Sequence, residues 1–197
     1  MKATKVAARG PSSSNRGLRA VAKPLVRGRA VGRIRLLVVV DATEASKRVL
    51  QYISRILTGR DEVDICLAYL TAGLPPVLLE TGGAELPRRE EQIEAHMRSD
   101  QRRWMAVGDK KAERILDAAR TMLLRGGVAE STIRTCVSSP LDARQAADEV
   151  LLLARDQQCR TVVVGHRAHT WLRGLAGGHL AEQLVRRAKG FAVWVID

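Results

Sequence analysis

Aromatic side chains are scarce in this 197-residue chain: three Trp, two Tyr and one Phe, 3% of the total. Platforms on which successive bases of a single strand stack need several such rings, so that mode of nucleic-acid binding is disfavoured. Cysteine is also rare. Cys66, Cys136 and Cys159 stand far apart with no CxxC among them, which excludes a disulfide framework or a Cys-rich zinc site and suits a reducing compartment. No run of eighteen apolar residues occurs, so no transmembrane segment is expected. Acids are missing from the first forty residues, which hold ten Lys/Arg. The remainder carries 33 − 10 = 23 basic against 21 acidic residues, so only +2 of the formal +12 belongs to the body. The charge is a property of a tail and says little about a nucleic-acid surface on the fold.

Residues 1–32 are rich in Arg, Ser, Gly and Ala and show no sustained apolar period. Such a segment buries too little surface to offset its ordering entropy, and disorder is the expectation. Three readings stay open for it: a solvated basic extension, an organellar transit peptide in a eukaryotic source, or an arm that contacts polyanions weakly. A secretory signal is disfavoured, because no apolar stretch of adequate length appears.

The whole chain is 46% hydrophobic, and its body, 33–197, is long enough for one domain of about 100–200 residues. Its apolar runs are punctuated regularly. Ile34–Val40 reads as a strand covered on both faces, stopping at Asp41. Asp41-Ala-Thr-Glu44 reads as a helix start, with Asp41 as the cap and Glu three residues on, opening a helix over about 43–58. A strand over 63–70 follows. The connection 71–87, with Pro75-Pro76 and Gly82-Gly83, is long for a compact domain and suggests a functional or mobile loop. Helices are predicted over 88–107 and 109–125, closed by Gly126-Gly127. A weaker strand over 132–137, a helix over 141–157, a strand over 160–164, a Gly-rich loop, a helix over 180–188 and a last strand over 191–196 complete the order. Alternation of this kind predicts an α/β fold: an open, doubly wound, five-stranded parallel sheet with helices on both faces, Rossmann-like.

In such sheets ligands bind beyond the carboxyl ends of the strands, where the strand order reverses. Two strand ends carry residues suited to that. One is Asp41. The other is Gly165, which leads into a Gly-rich run where the backbone can approach a phosphate and Arg167 or Arg173 can add charge. His166, His169 and His179 lack a carboxylate or thiol in sequence reach, so no metal site is read from them. His96 is expected to be solvated, Cys66 and Cys136 to behave as small buried hydrophobes, and Trp104 and Trp171 to pack. The run at 88–91 is expected to form an exposed helix face.

These residues carry a resemblance. Gly165, two residues, Ala168, nine residues, then Gly178-His179 keep the spacing of the nucleotide motif of the universal stress protein family, and Val-Val-Val-Asp41-Ala-Thr-Glu matches its first strand end. The likeness covers about 33–197. It implies ATP or another adenine nucleotide as cofactor, with Mg²⁺ only alongside the nucleotide. Val40, Asp41, Ala42, Tyr69 and Leu70 would lie near ribose and base, and Val164, Gly165, Arg167, Ala168, Gly177, Gly178, His179 and Leu180 around the phosphates. It also implies a cytoplasmic stress-response module that signals by conformation, with at most slow ATP hydrolysis and no catalytic residues assigned. Two positions depart: Ala168 stands where the family has its second glycine, and His179 where it has a hydroxyl residue. An interaction module without nucleotide, reaching a protein partner through 71–87 or the tail, therefore stays open. An adenine-nucleotide hydrolase is less favoured, because the Ser-Gly-Gly-x-Asp-Ser run of such enzymes is absent. The apolar strand 191–196 is expected to pair two copies as a homodimer.

Overall fold

A computed structural model describes residues 33–79, 87–140, 145–166 and 180–197, apart from the side chains of Pro76 and of residues 87–92. The elements run β1 Ile34–Val40, α1 Glu44–Leu57, β2 Val63–Leu70, α2 Pro87–Arg125, β3 Ile133–Ser138, α3 Ala146–Asp156, β4 Thr161–Gly165, α4 Leu180–Arg187 and β5 Ala192–Ile196. All five strands pair in parallel, in the order β3-β2-β1-β4-β5. The predicted fold class is the observed one.

From Leu36 in β1 and Ile65 in β2 onward the central strands are apolar, because both faces of the sheet are covered. Alternate residues feed two separate cores. Leu36, Val38, Val40, Ile65, Leu67 and Tyr69 pack under α1 and α2. Leu37, Val39, Cys66, Ala68, Leu70, Val162 and Val164 pack under α3 and α4. Asp64 is the one carboxylate among the eight buried residues of β2, and Arg33 and Arg35 neutralise it at 2.8 and 3.6 Å. Cys66 and Cys136 are buried as expected, with their Sγ atoms 3.2 Å apart.

Four expectations are corrected. The helices placed at 88–107 and 109–125 are one helix, α2, of 39 residues. Gly108 reads as a stop, but a glycine inside a helix costs only about 1 kcal/mol relative to alanine. Nothing else there ends the helix, which continues until Gly127 takes φ +85°. Second, the cap of α1 is Thr43, whose side chain accepts from the Ser46 N–H, and not Asp41. Third, Trp104 is 44% exposed and packs in neither core. It lies on the stretch of α2, residues 93–111, in which no side chain is buried. Fourth, 71–87 is not wholly irregular, since Pro76–Leu78 forms a 3-10 turn and α2 begins at Pro87. The Gln101 side-chain amide donates to the Leu78 carbonyl and ties that turn to the helix. The described part of the helix predicted over 141–157 is α3; residues 141–144 and 80–86 lie outside the described residues, as does the tail 1–32.

Candidate functional site

The chain leaves β1, adds β2 and β3 on one side, then returns to place β4 on the other side of β1. β1 and β4 are thus the neighbours whose connections diverge, and the crevice beyond their carboxyl ends is where such sheets take ligands. Asp41 follows β1 there. Its carboxylate accepts from the Thr43 N–H at 2.8 Å and from the Thr43 hydroxyl at 2.5 Å. The Thr43 oxygen in turn accepts from the Ser46 N–H at 3.2 Å, and the Asp41 N–H donates to Ser46 Oγ at 3.0 Å. The three polar side chains Asp41, Thr43 and Ser46 therefore lock one another. An ionised carboxylate is an acceptor only, so a half-buried one held this way suits a ligand that presents hydroxyl or N–H donors.

Gly165 ends β4 beside the first turn of α1. A Cβ there would lie 3.2 Å from the Ala45 Cβ, 3.3 Å from its carbonyl carbon and 3.4 Å from its oxygen. Its φ is not in the left-handed region. In the described structure glycine is needed at 165 for strand–helix approach. His166 continues the strand end: its N–H donates to the Ile196 carbonyl at 2.8 Å, and its ring lies 3.9 Å from the Asp197 carboxylate.

Among the residues expected at the site, Val40, Tyr69, Leu70, Val164, Gly165 and Leu180 are buried, whereas Asp41 is half-buried and Ala42 exposed. The buried ones contribute backbone and shape. Tyr69 is the register partner of Val40 and belongs to the core under α1 and α2. Burial pushes its phenol above the ordinary value, and the nearby Asp41 carboxylate adds to that. Arg167, Ala168, Gly177, Gly178 and His179 lie outside the described residues, as do Arg173, His169 and Trp171. Reading the sequence missed Thr43, Ser46 and Ala45. Thr43 was legible as a second cap candidate two residues after Asp41; Ala45 was not, because its role depends on a neighbour 120 positions away.

Among the described residues no group of three His, Cys, Asp or Glu is placed to hold a metal ion. No described helix is long and apolar enough to cross a membrane.

The model of the universal stress protein family matches residues 33–196. No curated protein matches the sequence. Solved structures share the fold. A universal stress protein from Archaeoglobus fulgidus in complex with dAMP is 13% identical, with 85% of this chain and 100% of that one covered and a TM-score of 0.51. A universal stress protein in complex with cAMP is 18% identical, with 85% and 99% covered and a TM-score of 0.53. A further structure, of a universal stress protein from Archaeoglobus fulgidus, is 16% identical, with 83% and 93% covered and a TM-score of 0.51.

Proposed function

Because the chain belongs to the universal stress protein family, we propose that it is a stress-response module that takes an adenine nucleotide beyond the ends of β1 and β4 and signals by conformation. The observation that carries this is Asp41, fixed by Thr43 at the point where the strand order reverses. In this reading the carboxylate accepts from ribose hydroxyls, as an acid after a Rossmann-type strand does. Residues 69–70 flank the base. Residues 165–168 and 178–180 face the phosphates, with Mg²⁺ arriving bound to ATP. The dAMP and cAMP bound to two proteins of the same fold support the ligand class. Ala168 adds a Cβ and His179 removes a hydroxyl donor at motif positions, so the affinity is reduced.

The test is calorimetric titration of ATP with Mg²⁺ into the full chain, its Asp41→Asn variant and the Ala168→Gly/His179→Ser double variant. Binding by the parent that tightens in the double variant and weakens about tenfold in Asp41→Asn is the expected result. Asn keeps an oxygen for Thr43 but loses the charge, a difference of roughly 1.4 kcal/mol for a charge-assisted hydrogen bond. No binding by any of the three sinks the nucleotide reading. Binding by the double variant alone favours the second reading, an interaction module that has lost its ligand. The two motif departures are the observation behind that alternative.

The edge position of β5, with Trp194 38% and Val195 41% exposed, supports a homodimer through that strand. Sedimentation at micromolar concentration reads it: a mass that Trp194→Lys leaves unchanged counts against the strand. The buried, unpaired cysteines support a cytoplasmic location.

A further inference from the structure

α2 is buried only along its C-terminal part, the described outer part being tied by the Gln101–Leu78 hydrogen bond. Ala112, Leu116, Ala119 and Leu123 are buried, whereas no side chain from Ile93 to Lys111 is. Yet this outer part carries large apolar side chains, with Ile93 37%, Trp104 44% and Val107 63% exposed. At about 100° per residue these share one flank of the helix, roughly a third of a turn from the buried stripe. The flank reads Ile93, Met97, Asp100, Trp104, Val107, Lys111, Arg114, Ala118, with steps of four and three alternating throughout. That is the spacing by which helices pair side by side.

The series is also complementary to its own reverse. Laid antiparallel and centred between residues 105 and 106, Trp104 meets Val107 of the other helix and Val107 meets Trp104. Asp100 meets Lys111 on both sides of that apolar centre. Farther out, Met97 lies along the stem of Arg114, and Ile93 meets Ala118. Within this series no two like charges meet. Asp100 is held on its own helix by His96 at 3.4 Å, and Lys111 and Arg114 are exposed.

We propose that two copies of this chain pair antiparallel along α2, Trp104 packing on the second copy's Val107 and Asp100 meeting the second copy's Lys111 on either side. The closed two-fold arrangement makes the patch its own partner. The face is separate from the β5 edge and does not depend on nucleotide binding.

The test is sedimentation velocity of the full chain carrying Trp194→Lys, so that strand pairing does not contribute to the mass read. Dimers are expected at up to 100 µM. Asp100→Lys or Lys111→Asp each converts two attractions into repulsions and weakens pairing about tenfold, at roughly 0.7 kcal/mol per exposed pair. The double exchange Asp100→Lys/Lys111→Asp restores it. So does an equimolar mixture of the two single variants, in which every charged pair is again opposite. Trp104→Ala weakens pairing about thirtyfold, as a central aromatic anchor does. Circular dichroism of each variant confirms that α2 remains helical. A chain that stays monomeric at 100 µM gives this flank to some other partner and overturns the proposal. A dimer whose strength neither single exchange alters overturns it equally.

Discussion

Gly165→Ala is the perturbation that separates packing from ligand binding at the end of β4. The new Cβ would sit 3.2 Å from one carbon, 3.3 Å from another and 3.4 Å from a carbonyl oxygen, all belonging to Ala45. Two of those atoms are backbone in the first turn of α1, which Thr43 and Asp41 lock in place. They do not yield as the end of a flexible side chain would. Overpacking of this kind costs about 2 kcal/mol. Against that, alanine in an ordinary backbone conformation gains about 0.7 kcal/mol by restricting the unfolded chain. The net loss is about 1 kcal/mol, with no nucleotide present. At a urea slope of about 2 kcal/mol/M the midpoint falls by about 0.5 M. Urea unfolding of the ligand-free protein measures it. Adding Ala45→Gly removes the Cβ contact and leaves the two backbone ones, so recovery is partial at most. A ligand-free midpoint that stays level or rises refutes the packing argument and returns Gly165 to the phosphates alone.

Two further outcomes follow from the same geometry. A Cβ at Gly126 would fall 2.4 Å from the Ser54 Cβ and 2.7 Å from its Oγ, so Gly126→Ala costs about 2 kcal/mol; Ser54→Gly costs about 1 kcal/mol alone but recovers most of the loss when combined, and additive effects in urea unfolding would contradict this contact. Burial pushes the Cys159 thiol up to about 12 from the ordinary 9.0, and the adjoining Cys136 thiol, followed by burial, pushes Cys66 up as well. Both groups favour folding fully below pH 9, and that advantage is lost as pH rises and the unfolded chain ionises first. Cys159 alone then accounts for a fall of about 1.4 kcal/mol between pH 8 and pH 10. Urea midpoints at the two pH values test it, since Cys159→Ala should flatten the fall; an equal fall in that variant assigns the effect elsewhere.

The fold was legible because each central strand is dominated by an apolar run and each helix buries one apolar stripe. Ile34–Val40 and Val63–Leu70 were delimited correctly from those runs, since burial on both faces leaves no room for a polar residue that is not paired, as Asp64 is. Gly108 was misread because the same residue that ends α1 at Gly59, with φ +72°, sits inside α2 at a small cost. Sequence spacing does not distinguish the two; the tertiary packing of Ala112 to Leu123 that carries the helix onward does. At the end of β1, Asp41 was read as the cap of α1, a role the structure gives to Thr43. An Asp and a Thr two residues apart compete for the same cap, and only the backbone path decides that Thr43 takes it while Asp41 holds Thr43.

The 39 residues of α2 make a rod about 58 Å long at 1.5 Å per residue. Its fulcrum is the stretch from Ala112 to Leu123, and the arm from Pro87 to Lys111 reaches about 37 Å beyond it. A tilt of about 5° at the fulcrum carries the tip roughly 3 Å, the width of a hydrogen bond. The sheet under that fulcrum is the one that ends in Asp41, and a small tilt of α2 upon it displaces the far end of the rod most.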